Sequence, residues 1–242
     1  MSGHSKWATT KRKKAVIDAK RGKMFTKLIK EITIAARDGG GDVNNNPRLR
    51  LAVDNAKSAN MPADNIERAI KKATGELEGT TYYELIYEGY APAGIALIVE
   101  VATDNKNRTV AEIRHLFSKN GGSLGETGSV AWMFDRKGII TLAKQNKSED
   151  EIMEIALEAG ADDFQVEDQY YEVQTSLENF EPVRRVLIDK KLEIENASLQ
   201  WVAKNSIKIS GEDAEKVIKL IEALEDNDDV QNVYSNADFD LT

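Results

Sequence analysis

The sequence predicts an α+β protein in which a basic arm and a three-helix domain precede two ferredoxin-like α+β domains, one inserted in the other. Three observations carry this reading. Apolar residues recur with a helical period up to about residue 73, and strand-like runs alternate with helical windows beyond it. Charge divides at the same place: residues 1–72 hold 17 Lys/Arg against 7 Asp/Glu, a balance of +10, while the rest of the chain holds 16 against 34, a balance of −18. From Gly138 to Val202 the element order is β-α-β-β-α-β, the split βαβ unit, and each flank reads β-α-β. The domains expected are 1–79, then 80–135 joined to 204–242, with 136–203 as the insertion.

Taken in order, the arm to about Gly22 has few apolar residues and is expected to stay mobile until a polyanion neutralises it. From Lys23, the residues Phe25, Leu28, Ile29, Ile32, Ala35 and Ala36 share one helical face, and the glycines at 39–41 stop the helix. Lys23, Lys27, Lys30 and Arg37 fall on the opposite face, a basic stripe continuous with the arm. A second helix opens at "NPRLRLAVDNAKSA" with Asn46 as N-cap and Pro47 in the first turn, its apolar side Leu51, Ala52, Ala56 and Ala59. Pro62 begins a third, with Ile66, Ala69, Ile70 and Ala73 inward and Gly75 at its end. "GELEGTT" (75–81) reads as a linker.

"GIALIVEVAT" then reads as a buried strand and "NRTVAEIRHLFSKNGG" as a helix with Val110, Ile113, Leu116 and Phe117 inward. "SVAWMF" and "GIITLA" read as strands separated by a turn at "DRKG". Ser148 caps a helix whose first turn is acidic. "DFQVE" and "YYEVQTS" form a strand pair, followed by the helix "NFEPVRRVLIDK" and the strand "EIENASLQWV". The chain closes with the strand "SIKIS", the helix "GEDAEKVIKLIEALEDN" and the strand "DVQNVYSN".

Composition removes several function classes. With no Cys, disulfides, thiol nucleophiles and Cys-based metal sites are excluded, which fits a reducing compartment. No apolar h-region follows the first basic residues, and "AGIALIVEVA" is too short to span a bilayer. A cytoplasmic protein with no membrane association is expected. No Ser-His-Asp order, Walker loop or metal triad occurs, so the chain is expected not to be an enzyme, with no cofactor and no metal.

Four segments point to a family. "GHSKW" (3–7), "YEGYAPAGIALIVEVATDNKNRT" (87–109), "FSKNGGSLGETGSVAWMF" (117–134) and "DDVQNVYSN" (228–236) resemble the YebC/PmpR family. Its members are bacterial proteins often labelled probable transcriptional regulators, with a mitochondrial relative that activates translation of a cytochrome oxidase subunit. The resemblance implies a cytoplasmic protein with an N-terminal helical domain and two α+β domains. One stretch departs. Where the family usually reads W-A-N-I-K-H-R-K, this chain reads "WATTKRKK", so base contacts made by the replaced positions do not transfer to Thr9, Thr10 and Arg12. Phosphate contacts do.

The candidate nucleic-acid-binding residues are therefore Lys6, Trp7, Lys11, Arg12, Lys13, Lys14, Lys20, Arg21, Lys23, Lys27 and Lys30. Each cation set against a phosphate releases condensed counterions and gives affinity with little sequence information. Trp7 either stacks on an exposed base or docks on the helical domain. His4 reads as a phosphate or backbone donor rather than a metal ligand. "GGSLGETG" (121–128) lacks the Lys-Ser/Thr of a phosphate loop and reads as a tight connection, with exposed amides available to an RNA backbone. "TDNKNRT" reads as a turn in which Asn107 or Asp104 caps the next helix, and "LEDNDD" (224–229) as a solvated helix end rather than a magnesium site. No reading helix of the helix-turn-helix kind stands out.

The function expected is a nucleic-acid-binding regulator of gene expression, read first as a DNA-binding transcriptional regulator. A ribosome-associated translation factor binding ribosomal RNA is the alternative, and a protein-interaction scaffold a more distant one. The expected partner is DNA or ribosomal RNA, and the chain is expected to be a monomer or weak dimer.

Overall fold

The computed structural model describes residues 17–144 and 147–240. The first helix, α1, spans Ile17–Gly39, so it begins well before Lys23 and takes in Gly22. One glycine costs a helix only about 1 kcal/mol relative to alanine, too little to break one of this length. Helices α2 (Pro47–Ser58) and α3 (Ala63–Ala73) complete the helical lobe. Asn46 joins its parts: Oδ1 accepts the Leu49 N–H at 3.0 Å, and Nδ2 donates to the carbonyls of Ala35 and Gly40 at the end of α1. One side chain thus caps one helix and closes the previous one. Ile32, Leu49, Val53, Ala56, Met61 and Ile66 fill the core between the three helices. Leu51, predicted for this core, instead packs into that of the third lobe.

The second lobe begins with a hairpin, β1 (Tyr83–Tyr90) and β2 (Ala96–Thr103), paired in register from Tyr83–Thr103 to Tyr90–Ala96. Helix α4 (Lys106–Lys119) and the two-residue strand β3 (Ser123–Leu124) follow. The chain leaves through β4 (Phe134–Ala143), α5 (Glu149–Glu158), β5 (Asp163–Val166), β6 (Tyr170–Thr175), α6 (Phe180–Asp189) and β7 (Ile194–Ala203). It returns in β8 (Ile207–Ser210), α7 (Gly211–Glu225), β9 (Val230–Ser235) and β10 (Ala237–Asp240).

The strands of the third lobe lie in the order β5-β6-β4-β7, antiparallel throughout. This is the split βαβ arrangement, with α5 and α6 on one face over Ile140, Leu142, Val173 and Ala197. The second lobe departs from the expected ferredoxin-like order. Its sheet runs β3-β1-β2-β9, because an unpredicted β1 pairs with β2 as a hairpin. Strand β8 leaves that sheet and pairs in parallel with β10.

Strand β2 explains its own unbroken apolar run, since both of its faces are covered. Leu97, Val99 and Val101 meet Ile113, Phe117, Leu220 and Leu224 of α4 and α7, while Ala96 and Ile98 meet Val130, Phe134 and Tyr234 on the other side. Two further predictions are corrected. "SVAWMF" is not a strand: residues 131–133 form a 3-10 turn and the strand starts at Phe134. "DRKG" is not a turn but the first half of β4, paired with β7 from Phe134–Ala203 onward. Its charges have partners elsewhere, Arg136 on Glu100 at 2.7 Å and Lys137 on Asp162 at 3.0 Å, so a polar run here does not mean a solvated bend. The insertion boundary predicted at residue 136 falls inside this strand.

Candidate nucleic-acid interface

Of the predicted contact residues, Lys6, Trp7, Lys11, Arg12, Lys13 and Lys14 lie outside the described residues, as does the rest of the arm to residue 16. Lys20 and Arg21 lie on α1. The remaining three show what the basic stripe meets.

Lys23, Lys27 and Lys30 share one side of α1, as the helical period requires. That side runs from an exposed end at Lys23 into protein at Lys30. Lys23 Nζ donates to the Asp226 carbonyl at 3.0 Å and its carboxylate at 3.1 Å, and Lys27 Nζ to the Glu225 carbonyl at 3.2 Å. These are the carbonyls at the end of α7, where the helix dipole favours cations. Lys30 goes deepest. It is 5 % exposed, and Nζ donates to the carbonyls of Ala102 and Asp228 and to Asp229 Oδ1, all within 2.9 Å. An ammonium with three protein acceptors has no donor left for a phosphate. Lys30 is therefore removed from the predicted contact set, and the stripe serves to seat α1 on the second lobe.

The acidic end predicted to be solvated is the other half of this seat. Asp229 is buried, and its Oδ2 accepts from Arg108 at 2.7 Å, the Thr109 hydroxyl at 2.7 Å and the Thr103 hydroxyl at 3.1 Å. Burial pushes its carboxyl up, but Arg108, Thr109 and Lys30 outweigh that and hold it at about 2. "TDNKNRT" supplies three of these donors, which reading it as a turn did not find. The α4 cap is Asn105, whose Oδ1 accepts the Arg108 N–H at 3.1 Å, rather than Asn107 or Asp104.

The glycine-rich loop is filled from within. Glu88, buried on β1, accepts N–H groups from Gly128 at 2.6 Å, Val130 at 2.8 Å and Ala131 at 2.7 Å. Burial pushes this carboxyl up, yet the three amides more than offset it and the net shift is downward. Of these three amides only that of Gly128 belongs to 121–128, and it already holds an anion rather than standing free for an RNA backbone.

Helices α2 and α3 are joined by residues 59–62 alone, the spacing of a helix-turn-helix hairpin, which the sequence reading did not find. On α3, Arg68 and Lys72 are exposed, and so are Asp64 and Glu67 in its first half. Among the described residues no group of three or more His, Asp or Glu is placed to hold a metal ion, and no helix is long and apolar enough to cross a membrane.

Comparison with known proteins completes the picture. Residues 5–76 match the family model described as the TACO1/YebC protein N-terminal domain, and residues 82–237 match that of the TACO1/YebC second and third domain. A probable transcriptional regulatory protein of Chlorobaculum parvum is 59 % identical over 239 residues, covering 98 % of this chain and 95 % of that one. One from Pelodictyon phaeoclathratiforme is 60 % identical over 237 residues, with the same coverage. The crystal structure of the conserved hypothetical protein Aq1575 from Aquifex aeolicus superposes with a TM-score of 0.86 at 48 % identity, covering 93 % of this chain and 92 % of that one.

Proposed function

The chain belongs to the TACO1/YebC family, and from that premise we propose that it is a nucleic-acid-binding regulator of gene expression, with its N-terminal arm as the main contact. The observation that carries this reading is the division of charge, +10 over residues 1–72 and −18 over the rest. In the body many cations are already committed to carboxylates: Lys30 and Arg108 to Asp229, Arg136 to Glu100, Arg184 to Asp54 and Glu181, Arg48 to Glu31. The arm concentrates Lys6, Lys11, Arg12, Lys13, Lys14, Lys20 and Arg21 against a single acid, Asp18. Phosphate neutralisation there releases counterions, while the acidic body discourages adhesion elsewhere.

Relatives named as probable transcriptional regulatory proteins, together with the α2–α3 hairpin, support promoter DNA as the target. A second reading, ribosomal RNA, is favoured by one observation. In a groove-reading helix the N-terminal residues meet the bases between two phosphate chains, and here that end carries exposed Asp64 and Glu67. Crosslinking in living cells, followed by sequencing of the attached nucleic acid, separates the two. Enrichment of promoter DNA supports the transcriptional reading, and enrichment of ribosomal RNA supports the translational one. Recovery of no nucleic acid above an untagged control overturns both.

A further inference from the structure

Trp132 is the most exposed large apolar side chain among the described residues, at 65 %, and it is held still. Its Nε1 donates to the Ser129 carbonyl at 3.1 Å, and its own carbonyl accepts from Lys204 Nζ at 2.9 Å. The turn that carries it is closed by the Met133 N–H on the Val130 carbonyl at 2.9 Å. The two amides just before it, those of Val130 and Ala131, are fixed on the buried Glu88 carboxylate. A large aromatic ring kept rigid in water has already lost the freedom that binding would otherwise cost it.

We propose that Trp132 is a stacking platform for an unpaired nucleobase, with Lys204 beside it to meet a phosphate. The inference rests on the nucleic-acid-binding reading and narrows its ligand to one with a single-stranded segment. Three features favour a base over a protein partner. The indole N–H is spent inside the molecule, so the ring offers its face rather than a donor. The exposed residues nearest to it along the chain are polar, Glu126, Thr127, Gly128 and Asp135, whereas the centre of a protein–protein contact is apolar and depleted of charge. A cation stands next to it: the Lys204 side chain is 46 % exposed and 3.5 Å from Asp135, a pairing loose enough to exchange for phosphate. An aromatic with an adjacent cation is what sequence-tolerant single-strand binding uses, since every base has a π-face. In a duplex those faces are stacked on each other and closed to the ring.

The test measures binding by the full chain to a single-stranded oligonucleotide and to a blunt duplex across a salt series. Stacking releases no counterions, so Trp132→Ala is expected to weaken single-strand binding about 5- to 150-fold at every salt concentration, with the log–log slope unchanged. Duplex binding should not move, and Trp132→Phe should recover most of the loss. In the Trp7→Phe/Trp201→Phe chain, where Trp132 is the remaining tryptophan, adding the single strand should quench the tryptophan emission. This second readout keeps the ring in place, so it stands even if the alanine variant folds poorly. Wild-type affinity in the alanine variant, together with unchanged emission in the Trp7→Phe/Trp201→Phe chain, overturns the inference, and so does an equal loss on duplex. If Lys11, Arg12, Lys13 and Lys14→Ala abolishes binding while Trp132→Ala does nothing, only this inference fails. If the wild-type chain binds no oligonucleotide, the functional reading fails with it.

Discussion

At the scale of single residues, Asp229 gathers Lys30, Thr103, Arg108 and Thr109 onto two carboxylate oxygens. Its folded-state carboxyl lies at about 2 against an ordinary 3.8. A depressed acid contributes stability that is complete above its unfolded value and disappears as pH falls through its folded value. The window here runs from about pH 4 down to about pH 2 and holds about 2 kcal/mol. Asp229→Asn leaves the buried Lys30 ammonium without a counter-charge, which should cost about 3 kcal/mol at pH 7. Urea unfolding across a pH series should show the gap to wild type narrowing by about 2 kcal/mol between pH 4 and pH 2. A gap that stays constant to pH 2 contradicts the assignment. None of this was legible in the sequence, because Asp229 and its four partners come from three distant segments, α1, residues 103–109 and the turn after α7. Helical spacing does place Lys23, Lys27 and Lys30 on one side of α1, but periodicity cannot say whether that side meets water, phosphate or protein.

At the scale of elements, local chemistry read well where it acts through near neighbours. The Asn46 and Ser148 caps stand as predicted, with Ser148 Oγ accepting the Glu151 N–H, since a cap needs only the next three residues. Strands read less well. Strand β1 goes unpredicted because its residues serve opposite needs: Leu85 and Tyr87 face the core and Glu88 anchors a loop. The start of β4 was misread because its charges answer other segments. Gly138 in that strand shows how tightly it is covered. A Cβ there would overlap Phe180 Cδ2 of α6 and Thr175 Oγ1 of β6. Gly138→Ala is therefore expected to lower stability by about 1–3 kcal/mol through overpacking, read as a lower melting temperature. A melting temperature at or above wild type contradicts this packing.

At the scale of the whole molecule, polar clamps tie the three lobes to one another. Lys30 on Asp229 joins the first and second. The first and third are joined by Asn55, whose amide pairs both ways with the backbone of Ala197 on the edge strand β7, and by Arg184 on Asp54. Glu100 accepts from Arg136 and Trp201 between the second and third. Asn55 also occupies the outward N–H and C=O of Ala197, two edge groups that could otherwise help recruit another strand. With the helical lobe clamped on two sides, cutting it away would strand buried charge and confuse lost folding with lost binding. The central claim, that the arm is where the protein meets phosphate, is best tested in the intact chain. Nucleic-acid affinity is measured against salt for wild type and for the variant in which Lys11, Arg12, Lys13 and Lys14 are all replaced by Ala. Each phosphate contact contributes about −0.7 to the log–log slope for a single strand and about −0.9 for duplex DNA. The variant should bind more weakly, with its slope flatter by about 2–4 units. An unchanged slope at wild-type affinity contradicts the claim.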